Sequence, residues 1–262
     1  MISSVRNPKV QALRALQRQA KRRAEAGAFV VEGARLTEEA LKSGWRVRLA
    51  LYTQPFASQH AALIGELQAR RVAEQVTEPV MKAASDTQTP QGVLLEVEQR
   101  ELPLPKALDF ALILDGVADP GNLGTLLRSA AAAGCGVVLL GPGCAEPFAP
   151  KVMRSGMGAH FLQSMRSLNW SEIEGFLKEH ALQIFVAQAR QGKVYDEEDL
   201  TQPLAFILGG EARGSGKEAA RLQPKPIQIP MPGGMESLNV AAAGSVLMFE
   251  VVRQRGQKAV RP

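Results

Sequence analysis

A chain of 262 residues, 45% hydrophobic and 22% charged, is long enough for two packed cores and has neither a collagen-like nor a disordered composition. Its net charge of +5 is uneven: residues 1–50 hold eleven Lys and Arg against four Asp and Glu, so a local +7 leaves the remainder at −2. There is no bilayer-length apolar run, no signal-peptide core in Met1 to Lys9, no disulfide framework in two cysteines and no metal spacing in three histidines, which excludes membrane, disulfide-scaffold and metal-centred classes and leads us to expect a cytoplasmic protein.

From Asn7 to about Ala26 the spacing predicts a helix with Val10, Leu13 and Leu16 on one stripe and Gly27 at its end. Its cations, Arg6, Lys9, Arg14, Arg18, Lys21, Arg22 and Arg23, are either a nucleic-acid-binding surface that neutralises phosphates or merely a solvated face. Phe29 to Val31 reads as a strand, Arg35 to Lys42 as a helix, Val47 to Leu51 as a strand, Ala57 to Arg70 as a helix and Gly92 to Val97 as a strand. Pro103 and Pro105 give the following segment linker chemistry, which places a small α/β domain at 1–100, a linker at 101–107 and a second domain at 108–262.

In that second domain the apolar runs Phe110 to Leu114, Val137 to Leu140, Gln183 to Ala187, Ala205 to Leu208 and Ile227 to Ile229 are buried strands, interleaved with helices over Leu123 to Ala133 and Val240 to Arg253. Such alternation predicts a mostly parallel sheet covered on both faces, with ligands at the carboxyl ends of its strands. The loops after Leu114, Leu140, Leu208 and Ile229 are therefore where chemistry is expected.

Three of the segments stand out. In Asp115 to Ala130, Asn122 is a candidate N-cap, Gly121 and Gly124 allow close approach, and Arg128 is an isolated charge that needs an anionic or carbonyl partner, or else pairs at the helix rim with Asp115 or Asp119. Leu208 to Glu218 superficially looks like a phosphate-binding loop, but Glu211 and Glu218 stand where Walker geometry needs Gly and a hydroxyl, and no dinucleotide fingerprint is present. In Ile229 to Val240, two prolines and two glycines specify an ordered irregular loop, with Ser237 or Asn239 capping the next helix.

Taken together and in order, these segments resemble the three motifs of the SpoU (TrmH) branch of the SPOUT methyltransferases. Asn122, Gly124 and Arg128 fit the first, Gly209, Glu211 and Gly214 the second, and Ile229, Pro230, Met231, Ser237, Leu238, Asn239 and Val240 the third. Met153 to Ala159 is similar to a further helix of that family, and Ser4 to Pro8, Phe29 to Gly33 and Thr89 to Val93 are similar to the substrate-binding domain that precedes the catalytic one. The resemblance implies a trefoil-knotted, mostly parallel α/β sheet behind a small ribosomal-protein-like RNA-binding domain. Many members carry Ser or Thr where this chain has Ala241 and an apolar residue where it has Ser215.

The activity implied is transfer of methyl from S-adenosyl-L-methionine to a ribose 2′-hydroxyl of RNA, ribosomal in preference to transfer RNA, by a homodimer that needs no metal. The alternatives are a tRNA 2′-O-methyltransferase, a base methyltransferase, or a non-catalytic RNA-binding assembly factor on the same fold. By the same resemblance Gly209, Ile229, Met231 and Leu238 contact the cofactor, and Arg128, Asn122, Glu211, Ser237 and Asn239 form the catalytic set. Arg128 either assists deprotonation or stabilises developing charge; a guanidinium accepts protons poorly. Arg6, Lys9, Arg14, Arg22 and Arg23 are the expected RNA contacts.

Overall fold

The computed structural model describes residues 1–210 and 214–260, and its contacts divide the chain into two units. The first, Met1–Arg100 with Phe148–Phe161, begins with helices α1 (Pro8–Arg18) and α2 (Ala20–Ala26), strand β1 (Ala28–Glu32), helix α3 (Ala34–Lys42) and strand β2 (Val47–Tyr52). Helices α4 (Gln54–Gln59) and α5 (Ala61–Ala69), strand β3 (Ala73–Gln75), helix α6 (Glu78–Ala84) and strand β4 (Val93–Glu98) follow. The strands pair in the order β1-β4-β2-β3, with β4 antiparallel to both neighbours. Against one face, Val10, Leu13 and Leu16 of α1 pack with Val80, Met81 and Ala84 of α6.

Two expected helices are broken. The Asn7–Ala26 helix is interrupted at Gln19, whose backbone is extended (φ −128°, ψ 113°), and Asn7 caps its start through Oδ1 to the Lys9 amide. The break lets Arg23 fold back and donate to the Leu16 and Gln17 carbonyls, satisfying acceptors left open at the end of α1. The Ala57–Arg70 helix divides at His60, whose ring stacks on Phe56 at 4.4 Å.

The second unit, Glu101–Pro147 with Leu162–Pro262, opens on strand β5 (Phe110–Asp115), helix α7 (Pro120–Ala132) and strand β6 (Val137–Leu140). Helix α8 (Pro150–Gly156) comes next in the chain, and its contacts group it with the first unit. The reason is aromatic burial: Phe148 and Phe161, which flank α8, gather on Phe29 with centroids 4.7 and 6.3 Å away, and Phe161 meets Trp45 edge-on. The second unit then resumes with strand β7 (Met165–Ser167), helix α9 (Trp170–Glu179), strands β8 (Gln183–Ala187), β9 (Lys193–Val194) and β10 (Leu204–Gly209), helix α10 (Lys217–Arg221), strand β11 (Lys225–Gln228) and helix α11 (Val240–Val260).

These strands form one sheet in the order β7-β6-β5-β10-β8-β11-β9, and every pairing in it is parallel. Alternate residues face opposite sides. Ala111, Ile113, Leu139 and Ile207 pack with Ile173 and Leu177 of α9 and Ala219 of α10, while on the other side Leu208 lies against Gly244 of α11. No helix among the described residues is long and apolar enough to cross a membrane.

Candidate functional site

The sheet order places the ends of β5 and β10 side by side, with Gly209 in register with Asp115. The Gly210 amide donates to the Asp115 carbonyl at 2.8 Å, and the Gly216 amide donates to the Asp115 carboxylate at 2.6 Å. A Cβ on Gly210 would stand 2.1 Å from the Gly116 carbonyl oxygen, and one on Gly209 would stand 2.0 Å from the Gly214 carbonyl carbon. Glycine at 210 lets the loops after β5 and β10 pass at this separation, and glycine at 209 lets the second of them turn back on itself.

Helix α7 is capped three residues before the expected position, Asn122. Asp119 is its N-cap, accepting from the Asn122 amide at 2.8 Å, and Pro120 occupies the first position, where a missing N–H is harmless. Asn122 is thereby freed for a longer-range role: its Oδ1 accepts a 3.0 Å hydrogen bond from Asn239 Nδ2. Asn239 in turn caps α11 through its Oδ1, which accepts from the Ala241 and Ala242 amides. One amide side chain thus fixes the third loop to both α11 and α7. Those helices also share the 2.8 Å pair of Ser129 and Ser245 hydroxyls, and Gly244 gives room for Leu126.

Between these loops lies a cavity of about 440 Å³, within the range that holds a nucleoside-sized ligand. Gly209, Ile229, Met231, Ser237, Leu238 and Asn239 line it, together with Gly210, Val240 and the Ala187 to Ala189 loop that the motif argument did not name. The strand-end rule reaches that loop too, because β8 ends at Ala187. The loops after Leu114 and Leu140 supply none of its lining among the described residues. The lining contains no Lys, Arg, Asp or Glu among the described residues. A polyphosphate would therefore find no compensating charge among the described lining residues, whereas a nucleoside with a sulfonium-bearing chain meets apolar Ile229, Met231 and Leu238. No cluster of His, Cys, Asp or Glu among the described residues has the makings of a metal site.

Arg128 is exposed on α7, outside the cavity lining, and among the described residues no hydrogen bond or ion pair holds its guanidinium. Neither anticipated pairing forms, because the Asp119 carboxylate caps the helix and that of Asp115 takes the Gly216 amide. Exposure removes the need for an internal partner. Glu211 lies outside the described residues.

The N-terminal cations divide. Arg23 is buried and serves as the cap on α1, so it is not available to RNA, a correction that follows from the helix break at Gln19. Arg6 is exposed, Arg14 half-buried, and Lys9 and Arg22 pair at the surface with Glu74 and Glu25. Exposed pairs of this kind are weak and exchange readily for phosphate.

Residues 109–249, which hold the sheet and this cavity, match the model of the SpoU rRNA methylase family. The chain belongs to the SpoU rRNA methylase family. Residues 7–95 of this SpoU protein match the model of an MRM3-like substrate-binding domain. Over 252 residues the chain is 32% identical to the Bacillus subtilis 23S rRNA (guanosine(2553)-2′-O)-methyltransferase RlmP, covering 95% of this chain and 98% of that one. The structure is similar to an AdoMet-bound rRNA methyltransferase of Sinorhizobium meliloti, with a TM-score of 0.84 and 32% identity over 96% of this chain and 97% of the other. It is also similar to the SpoU methyltransferase AviRb of Streptomyces viridochromogenes in complex with AdoMet, with a TM-score of 0.86 and 27% identity over 95% and 98% of the two chains.

Proposed function

We propose that this SpoU-family protein is a cytoplasmic, homodimeric RNA methyltransferase that transfers methyl from S-adenosyl-L-methionine to a ribose 2′-hydroxyl of ribosomal RNA. The observation that carries the reading is the cavity of Gly209, Ile229, Met231 and Leu238, whose lining holds no charged side chain among the described residues and whose third loop is tied by Asn239 to Asn122 of α7. Gly209, Ile229, Met231 and Leu238 would hold the cofactor, which when bound supplies an electrophilic methyl carbon. The close passage of Gly210 against Gly116 supports the knotted reading of these loops. Val246, Phe249 and Val252 leave an apolar stripe exposed on α11, which supports pairing of two copies.

A ribose hydroxyl becomes a useful nucleophile only as its proton leaves. The Arg128 guanidinium, exposed and unpaired among the described residues, supports a role on the RNA: it binds a phosphate beside the target and stabilises the developing alkoxide, rather than acting as a base. Asn122 and Asn239 orient the loop, and Ser237 offers a hydroxyl at the cavity lip. We also assign Glu211 to shaping the pocket by its motif position.

Incubation with total RNA and labelled cofactor, followed by mapping of 2′-O-methyl sites, tests the assignment; label in transfer RNA, on a base, or nowhere overturns it. Arg128→Ala is expected to lower turnover on the mapped RNA by about 10²–10³-fold, the usual cost of a lost charge-stabilising donor, with cofactor affinity by calorimetry near wild type. Near-normal turnover removes Arg128 from the mechanism.

A further inference from the structure

The first unit has a cavity of its own, about 590 Å³, at the ends of α4 and α6 and the loop that enters β4. Its floor is apolar: Phe56 and Met81 are buried there, and Phe56 is backed by the stacked His60 ring. Gly92 keeps the recess open at the back, since a Cβ at its φ of +88° would stand 2.8 Å from Thr53 Oγ1 and 2.9 Å from Phe56 Cβ. Around the rim stand Gln59, Glu78, Lys82 and Gln91, all exposed, and among the described residues none of these four side chains has a hydrogen-bond or ion-pair partner.

We infer that this cavity receives a single unpaired nucleotide of the RNA substrate, with its base in the recess. The inference rests on the proposal that the substrate is RNA, and every lining residue falls within the stretch matching a substrate-binding domain. The chemistry favours a base over a phosphate cluster. One lysine and one glutamate cancel at the rim, whereas two amides offer donors and acceptors to a planar polar edge, and an apolar floor suits the ring itself. Lys82 is then left for one flanking phosphate. Recognition of this kind reads unpaired nucleotides, because a base held in a duplex cannot reach into a recess.

The test uses the full-length protein and a large-subunit rRNA transcript, with binding measured across a salt series. Gln59→Ala/Gln91→Ala is expected to weaken binding about tenfold with the salt slope unchanged, whereas Lys82→Ala weakens it and lowers the slope by about one. In methyl-labelled protein, the Met81 signal should shift when a short single-stranded oligoribonucleotide is added and stay still with the corresponding duplex. All of the variants lie at exposed positions, and circular dichroism should show them folded. Wild-type affinity in the double variant, or a Met81 signal indifferent to single strands, overturns the inference. Because these readouts need no methyl transfer, a protein that binds RNA here yet methylates none would sink the proposed function and leave this site standing.

Discussion

The cavity of the second unit rests on close backbone approach at Gly209 and Gly210, with Ile229, Met231 and Leu238 adding apolar surface, while that of the first is floored by Phe56 and Met81 and rimmed by long polar side chains. The first kind of site depends on absent side chains: the Gly210 amide reaches the Asp115 carbonyl only because nothing but hydrogen occupies its α-carbon. The second depends on side chains converging from separate helices. A backbone-built site should therefore fail abruptly on small substitutions, and a side-chain-built one should weaken by degrees.

The sharpest way to break that contrast is Gly209→Ala. With 2.0 Å to the Gly214 backbone the loop has to move, and S-adenosylmethionine affinity is expected to fall about 100-fold by calorimetry, some 2.7 kcal/mol. Affinity within threefold of wild type would show that the second cavity tolerates side chains after all. Asn239 is where that cavity leans on a side chain. Asn239→Ala removes a helix cap worth about 1 kcal/mol, expected to lower Tm by roughly 2–4 °C. Asn239→Asp keeps the cap acceptor but loses the donor to Asn122, so it should retain Tm while losing methyl transfer; equal activity would deny the tether a role.

Smaller effects test the scaffold. On α11, hydrogen bonds from Arg253, then Gln254, hold the Glu250 carboxyl below the usual carboxylate pKa despite some opposing burial. A depressed native pKa adds stability that is complete above the unfolded value, near 4.5, and is lost as pH falls through the lowered one. Glu250→Gln should therefore cost about 0.5 kcal/mol at pH 7 after solvent screening, and melts should show the gap closing below pH 4.5. Least in energy, burial pushes the Cys135 thiol up to about 12, and its neighbouring backbone carbonyls occupy the Sγ. Iodoacetamide at pH 8 is expected to leave Cys135 unlabelled in the folded protein; peptide mapping that finds it modified before Cys144 would contradict this packing.

Much of the second cavity was legible from residue order alone. Close backbone approach demands glycine and an irregular ordered loop demands proline, so Gly209, Gly210, Pro230 and Pro232 leave a local trace. Buried parallel strands likewise announce themselves as continuous apolar runs, and Phe110–Asp115 and Leu204–Gly209 lie where such runs predict. Of the recess in the first unit only the Thr89 to Val93 segment leaves a trace, because Phe56 and Met81 are ordinary residues far apart in the chain.

By itself, then, the sequence determined the alternating strand and helix pattern, the glycine-dense loops at strand ends and the basic excess near the N-terminus, since periodicity, conformational freedom and charge are properties of neighbours along a chain. Tertiary structure alone decided that Arg23 caps a helix instead of facing solvent, that Asn122 binds Asn239 and not its own helix start, and that Phe148–Phe161 leaves the second unit to bury its aromatics with Phe29 and Trp45. Each of those outcomes depends on which distant group satisfies a donor or covers a ring, and no local rule contains that information.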